Sequence, residues 1–236
     1  MNMVDSTVIS FLGSFERGSY IIDSSIRFIV KSKLLQGNLF MMIIWWIWFE
    51  NDKRTSINRL HIIATLMSCF VVMAFTKILE FTLPFRLRPL QNGELKYLFP
   101  IDITTFHFEN HSSFPSDTAA LFFALSAGLF IVSRKVGIFA FVYATLFIAF
   151  PKIYLGLHYP TDIIAGAIIG MSIVWLGNLH IIRANISERI LSWERSKPGY
   201  FYALFFFITY QIADLFTQSQ EILKAIYKAS KQLLHY

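Results

Sequence analysis

The stretch PKIYLGLHYPTDIIAG, residues 151–166, joins the end of one hydrophobic segment to the start of the next. Within it, Lys152 precedes His158 by six residues, and Asp162 follows His158 by four. A carboxylate one helical turn from an imidazole can orient the ring, and a nearby cation can hold an anionic substrate. At a membrane surface that anion would be a lipid phosphate. The alternative interpretation is an ordinary turn between two helices, with a His and an Asp that face water.

The composition of the whole chain predicts a polytopic membrane protein. Of its 236 residues, 55% are hydrophobic and only 15% are charged, and the apolar residues come in blocks separated by short breaks. The net charge of +6 suits anionic lipid headgroups. We expect no nucleic acid partner, because the cations are scattered singly between apolar segments. The single cysteine, Cys69, excludes a disulfide framework and a cysteine-based metal site.

Six hydrophobic segments predict an all-α fold, a membrane helical bundle of about six transmembrane helices. The segments are residues 34–49, 57–83, 116–133, 136–154, 163–183 and 199–216. The fifth segment contains Gly166 and Gly170, a GxxxG pattern that predicts close contact with another helix.

The two ends of the chain differ from this bundle in composition. Residues 1–33 mix apolar and charged residues, which predicts an interfacial amphipathic segment. Charges throughout these residues argue against a cleavable signal peptide. Residues 34–216 would form the transmembrane catalytic bundle, with its core at 57–183, and residues 217–236 would form an amphipathic C-terminal tail.

The distribution of cations predicts an orientation in the membrane. The polar connection 84–115 lies on the same side as residues 151–162, because two predicted spans separate them. Nine Lys and Arg residues lie on the other side: Lys53, Arg54, Arg59, Arg134, Lys135, Arg183, Arg189, Arg195 and Lys197. The opposite side holds a similar number, but several of those cations are predicted to bind substrate. Without them, the distribution favours an active site that faces away from the cytoplasm, as in a bacterial inner membrane protein.

The polar connection carries further residues suited to an anion. Lys77, near the end of a predicted span, is followed by Arg86 and Arg88, which point the same way in an extended segment. A guanidinium matches phosphate oxygens. Ser116 opens an apolar helix and, with the first free backbone N–H groups, could bind an anion. The alternatives are a lysine that only extends to the interface and an ordinary N-cap by Ser116 or Asp117.

Together these stretches resemble the type-2 phosphatidic acid phosphatase superfamily. Its pattern is a Lys followed by an Arg-Pro, then Pro-Ser-Gly-His, then Ser-Arg with five residues to a His and three more to an Asp. The resemblance covers about residues 57–183. It implies that His158 is the nucleophile, that Asp162 holds its ring tautomer, and that the phosphate is bound by Lys77, Arg86, Arg88, Ser116 and Lys152.

Two positions depart from the family pattern. Lys152 replaces an Arg, which keeps the charge but loses the two-pronged hydrogen bond. Thr118 replaces the second His, which the resemblance implies protonates the leaving alkoxide or helps to bind phosphate. Threonine cannot act as a general acid near neutral pH. Asp117, with a raised pKa, and His111 or His107 are candidate auxiliary groups.

The missing acid predicts a substrate class. General-acid catalysis typically contributes about 10²–10⁴ in rate, and a phosphomonoester lipid would lose that contribution because its leaving group is a poorly acidic alcohol. A polyprenyl diphosphate or another lipid diphosphate instead releases a phosphate, which needs no proton. We therefore expect a membrane phosphatase that acts on a lipid diphosphate through a phosphohistidine, without a metal or a cofactor. Its partners would be the phosphorylated lipid and membrane lipids, and no protein partner is indicated.

Two alternatives remain open at this level. A phosphotransferase would share the first half-reaction and then pass the phosphoryl group to a lipid or glycan acceptor. A non-catalytic protein that binds lipid phosphate would keep the cations and lose turnover, for which the Thr118 replacement is the main support.

Overall fold

The computed structural model describes residues 3–14, 20–50, 54–99 and 111–217, and these residues contain helices and turns but no strand. The predicted all-α class is confirmed. The helices are α1 (Met3–Ser14), α2 (Tyr20–Lys31), α3 (Leu39–Phe49), α4 (Thr55–Thr82), α5 (Asp117–Val132), α6 (Arg134–Tyr143), α7 (Phe150–Tyr154), α8 (Pro160–Gly177), α9 (His180–Ser196) and α10 (Pro198–Ala213). A π-helical turn precedes α3, and another joins α6 to α7.

Three helical stretches are long and apolar enough to cross a membrane: Thr55–Thr82, Arg134–Tyr154 and Pro160–Gly177. A fourth span is possible if the pair Tyr20–Lys31 and Leu34–Phe49, bent by 68°, crosses as one unit. The remaining predicted segments are helical but short. Helix α5, for example, has 16 residues, or about 24 Å of helix against a hydrocarbon core of about 30 Å. The predicted membrane bundle is thus confirmed. By length and composition, however, the described residues contain three or four full-length spans, fewer than the six predicted.

Helix α5 lies at the centre of the bundle. Its residues Leu121, Phe122 and Leu125 are completely buried, and its sequence is apolar on all sides, as expected of a helix enclosed by others. Helix α8 packs directly against it. A Cβ atom at Gly170 would overlap the carbonyl oxygen of Ala120, so the close contact predicted from the GxxxG pattern is present. This pairing fixes the starts of α5 and α8 relative to each other.

The first helix is attached to the bundle by a buried charge. Helix α1 packs against α8, and the carboxylate of Asp5 is fully buried there. The predicted tail 217–236 lies outside the described residues apart from Thr217, and His107 also lies outside them.

Candidate active site

Three segments of the chain meet at the end of the bundle where α5 and α8 begin. Backbone hydrogen bonds join them: Leu90 N to Gly156 O at 2.9 Å, Ser113 N to Arg86 O at 2.8 Å, and Ser116 N to Asp162 O at 3.2 Å. Gly156 has a φ of +67°, which favours glycine, and its turn brings the chain from α7 towards His158. The three stretches that the sequence placed on one membrane side are therefore in contact.

His158 is buried, and its two ring nitrogens have different environments. Nδ1 lies 2.9 Å from the carbonyl oxygen of Ser113, which can only accept a hydrogen bond. The hydrogen-bond pattern therefore assigns the proton to Nδ1 and a lone pair to Nε2. Nε2 in turn lies 3.2 Å from Nη1 of Arg88, which also donates to the carbonyl oxygen of Leu157 at 2.8 Å. The nitrogen that carries the lone pair thus faces a guanidinium.

Asp162 lies beside the imidazole without a direct hydrogen bond to it. Its Oδ2 is 3.8 Å from Nδ1 of His158, beyond hydrogen-bond distance. The carboxylate instead accepts from the hydroxyl of Ser113 and from Tyr159 N, the latter at 2.8 Å. The resemblance to the phosphatase superfamily implied that Asp162 holds the ring tautomer of His158. In the structure, the hydrogen bond that orients the imidazole goes to the carbonyl oxygen of Ser113. Asp162 instead joins the segment that contains Ser113 to the segment that contains Tyr159.

Burial lowers the pKa of His158 to about 4. Asp162 opposes this shift, whereas the positive charges of Arg88 and Lys152 add to it. The imidazole is therefore neutral over the whole physiological range. A neutral imidazole is the form that can attack an electrophile.

This low pKa predicts a specific pH dependence. We expect the ring of His158 to titrate near pH 4, whereas an unperturbed histidine titrates near 6.5. Because the unfolded chain takes up this proton first, between pH 6.5 and 4, the residue should destabilise the fold progressively as the pH falls through that window. NMR of the protein with ¹⁵N-labelled histidine, with His158→Ala to assign the signal, would measure the value without substrate. A midpoint near 6.5 would contradict the prediction.

The predicted phosphate-binding lysines contact polar side chains of α4 and of the start of α5. Nζ of Lys77 is 2.8 Å from Glu80 and 3.2 Å from Asp117. Nζ of Lys152 donates to the hydroxyl of Thr118 at 2.7 Å. The two departures from the family pattern, at positions 118 and 152, are therefore in direct contact.

Arg86 is held by two buried carboxylates. Its guanidinium is 2.5 Å from Asp162 and 2.6 Å from Asp5, and it lies over the ring of Tyr159 at 4.1 Å from the centroid. Because two negative charges already offset its one positive charge, we expect Arg86 to attract a phosphate less strongly than Arg88 does. Its position supports the conformation of the segment around Asp162.

Asp5 was not among the residues predicted for the site. Besides Arg86, it accepts hydrogen bonds from Thr161, from the backbone N–H at 3.0 Å and from the hydroxyl at 2.8 Å. It carries the one charge within MVDSTVISFLGS, the sequence of α1. That isolated charge in an apolar helix is the signal that could have identified it.

The other predicted residues have local roles in the structure. The hydroxyl of Ser116 accepts from Ala119 N at 3.3 Å, so this serine is the N-cap of α5, the simpler of its two sequence interpretations. The carboxylate of Asp117 accepts from the backbone N–H of Thr118 and pairs with Lys77, which stabilises its ionised form. Nδ1 of His111 lies 2.8 Å from Glu80.

Comparison with known proteins identifies the region around this site. Residues 85–185 match the model of the PAP2 superfamily. The bacitracin transport permease protein BcrC of Bacillus licheniformis is 28% identical over 134 residues, which cover 55% of this chain and 58% of that protein. Lipid A 4'-phosphatase of Bacteroides thetaiotaomicron is 39% identical over 87 residues, covering 36% of this chain and 37% of that protein. This chain therefore spans less than two thirds of the length of either relative.

Two longer matches are more distant. The putative undecaprenyl-diphosphatase YbjG of Escherichia coli is 23% identical over 177 residues, covering 72% of this chain and 81% of that protein. Among solved structures, LpxE of Aquifex aeolicus aligns with a TM-score of 0.49 at 22% identity, covering 75% of this chain and 98% of that one.

Proposed function

We propose that this chain is an integral membrane phosphatase that acts on a lipid diphosphate through a phosphohistidine intermediate. The match of residues 85–185 to the model of the PAP2 superfamily supports this proposal. The observation that carries the proposal is the environment of His158. Its Nδ1 donates to Ser113, and its Nε2 keeps a lone pair next to the guanidinium of Arg88. The names of two relatives, a lipid A 4'-phosphatase and a putative undecaprenyl-diphosphatase, support a phosphorylated lipid as substrate.

In the first step, Nε2 of His158 attacks the terminal phosphorus of the diphosphate. An N–P bond forms, the P–O bond to the inner phosphate breaks, and its electron pair leaves with the lipid monophosphate. The proton on Nδ1 stays hydrogen-bonded to Ser113, and the carboxylate of Asp162, 3.8 Å away, stabilises the positive charge that develops on the ring. Water then attacks the phosphohistidine, and inorganic phosphate and neutral His158 are released.

The cations would act on the oxygens of the transferred phosphoryl group. Arg88 already lies next to Nε2, where the phosphorus must arrive. Lys152 and Lys77 are held at the start of α5 by Thr118 and Asp117, and could turn towards the same group. Positive charges around the transferred group are the main source of catalysis in phosphoryl transfer, because its equatorial oxygens carry most of the negative charge in the transition state.

The residues around position 118 favour a diphosphate over a monophosphate. The hydroxyl of Thr118 is engaged with Lys152, and Asp117 is kept ionised by Lys77, so neither is a suitable acid at neutral pH. A leaving group that is itself a phosphate does not need one.

Restoring the missing acid should broaden the substrate range. We expect Thr118→His to raise the turnover of a monophosphate lipid by about 10²-fold, the lower end of the range for general-acid catalysis. Because position 118 contacts Lys152, the double variant Thr118→His with Lys152→Arg should exceed the product of the two single effects. Phosphate release from matched mono- and diphosphate lipids measures this. Activity confined to diphosphates in all three variants would contradict our explanation of Thr118.

A direct assay separates the proposed hydrolase from the two alternatives. Purified protein is incubated with undecaprenyl diphosphate labelled at the terminal phosphate, with and without lipid or glycan acceptors. A hydrolase releases free phosphate at the same rate in both cases, whereas a phosphotransferase labels the acceptor. Absence of release and of transfer, combined with binding of the lipid, would favour the non-catalytic alternative.

A further inference from the structure

A second polar cluster lies at the end of the bundle opposite His158. On α4, His61 precedes Lys77 by sixteen residues, which is about 24 Å of helix. Likewise, Asn178 follows the last residue of α8, whereas Asp162 lies in its first turn. His61 is hydrogen-bonded both to Asn178 and to Arg183 of α9. This cluster therefore faces the other leaflet.

Arg183 has a neutral partner in this cluster. Its Nη1 donates to Nε2 of His61 at 2.9 Å, while Nδ1 of His61 lies 2.8 Å from the amide oxygen of Asn178. An imidazole that donates through Nδ1 and accepts through Nε2 is uncharged. In the part of the chain that the structure describes, no carboxylate forms an ion pair with Arg183. Its half-buried positive charge is therefore not balanced by the protein there.

An apolar cavity of about 360 Å³ extends from Arg183 between α4, α8 and α9. Its wall includes Met67, Val71, Ile173, Leu176, Ile182 and Ile186. One turn beyond Arg183, the side chain of Ser187 also lines the cavity, is completely buried, and has no hydrogen-bond partner among the described residues. Burying a hydroxyl without a partner costs free energy. The cavity thus combines an apolar wall with a buried hydrogen-bond donor, the hydroxyl of Ser187, and a half-buried cation, Arg183.

We propose that this cavity binds one anionic phospholipid of the leaflet opposite the catalytic centre. Arg183 binds its phosphate, the hydroxyl of Ser187 donates to an ester carbonyl, and an acyl chain fills the apolar part. Arg183 and Ser187 lie four residues apart on one face of α9, so they can contact successive groups of the same lipid. The site is separate from the catalytic one, and the proposal does not depend on the proposed function.

The test is native mass spectrometry of the delipidated full chain titrated with phosphatidylglycerol and, separately, with phosphatidylcholine. We expect one phosphatidylglycerol to bind at least about tenfold more tightly than phosphatidylcholine. Both headgroups carry a phosphate, but the quaternary ammonium of phosphatidylcholine would place a second positive charge close to Arg183, and like charges repel. Arg183→Gln should remove this preference. Ser187→Leu, which fills the cavity, should weaken the binding of both lipids. His158→Ala should leave binding unchanged, because that residue lies at the other end.

Arg134→Gln is the matched control, because Arg134 is an exposed cation at the start of α6, on the same membrane side as Arg183. It should keep the preference for phosphatidylglycerol. A photoreactive acyl chain on phosphatidylglycerol should label α4, α8 or α9, the helices that line the cavity, in the parent and not in Ser187→Leu. The proposal is overturned if both lipids bind equally, if Arg134→Gln and Arg183→Gln have the same effect, or if the label is on helices away from the cavity. Thermal unfolding of each variant identifies any that has not folded.

Discussion

Replacing His158 by alanine is expected to reduce phosphate release from a lipid diphosphate by at least about 10⁴-fold. Loss of a nucleophile removes a covalent route entirely, and in other enzymes it costs about 10⁶ in rate. Neighbouring groups cannot compensate, because His158 is buried between the carbonyl oxygen of Ser113 and the guanidinium of Arg88. The measurement is release of labelled phosphate by the purified protein in detergent.

The same variant tests the covalent intermediate. With substrate labelled at the terminal phosphate, the parent protein should acquire a label that is stable to base and labile to acid, as expected of a phosphohistidine, and His158→Ala should acquire none. His180→Ala is the matched control, since His180 is exposed at the start of α9 and should behave like the parent. Equal activity of the two variants would contradict the proposed function.

Replacing Arg86 by methionine is expected to destabilise the protein by about 3–5 kcal/mol. Arg86 is the ion-pair partner of both Asp5 and Asp162, which are completely buried. Removing one partner of a buried ion pair leaves an uncompensated buried charge, and the penalty is of this size. The midpoint of thermal unfolding in detergent should fall accordingly, and catalysis should fall with it as the segment around Asp162 loosens.

The double variant Arg86→Met with Asp5→Asn should be more stable than Arg86→Met alone, because only one buried carboxylate then remains unpaired. Arg134→Met is the control for loss of an arginine, and it should change stability by less than about 0.5 kcal/mol because Arg134 is exposed. If Arg86→Met instead unfolds like the parent but binds substrate poorly, then Arg86 is a phosphate ligand, as its position in the sequence suggested.

The sequence predicted the class of fold and the location of the site because both depend on local patterns. Apolar blocks identify helices that cross a membrane, and a span count places two polar segments on one side. Gly166 and Gly170 predicted a close helix contact for the same reason, since small residues one turn apart form a groove. The predicted span 116–133 is a shorter helix in the structure, because α5 begins at Asp117, within the site, and has only 16 residues.

The partners of the site residues could not be predicted in the same way. Ser113 holds His158 through its backbone oxygen, a group that every residue possesses and no pattern identifies. The pairing of Arg86 with Asp5 depends on how α1 packs against the bundle, and local sequence patterns do not specify tertiary packing. Alternation along the chain predicts that Arg86 and Arg88 point the same way. It cannot distinguish the arginine that lies beside His158 from the one that two carboxylates hold.

The contact between Asp5 and Thr161 has a consequence for biosynthesis. The two residues are separated by 155 others, so α1 leaves the ribosome long before the segment to which it binds. Until α8 has been made and inserted, Asp5 and Arg86 lack the third member of their ion cluster, Asp162. Assembly of the centre is therefore a late event in membrane insertion, and a chain released before it has made α8 would expose charges that the mature protein conceals.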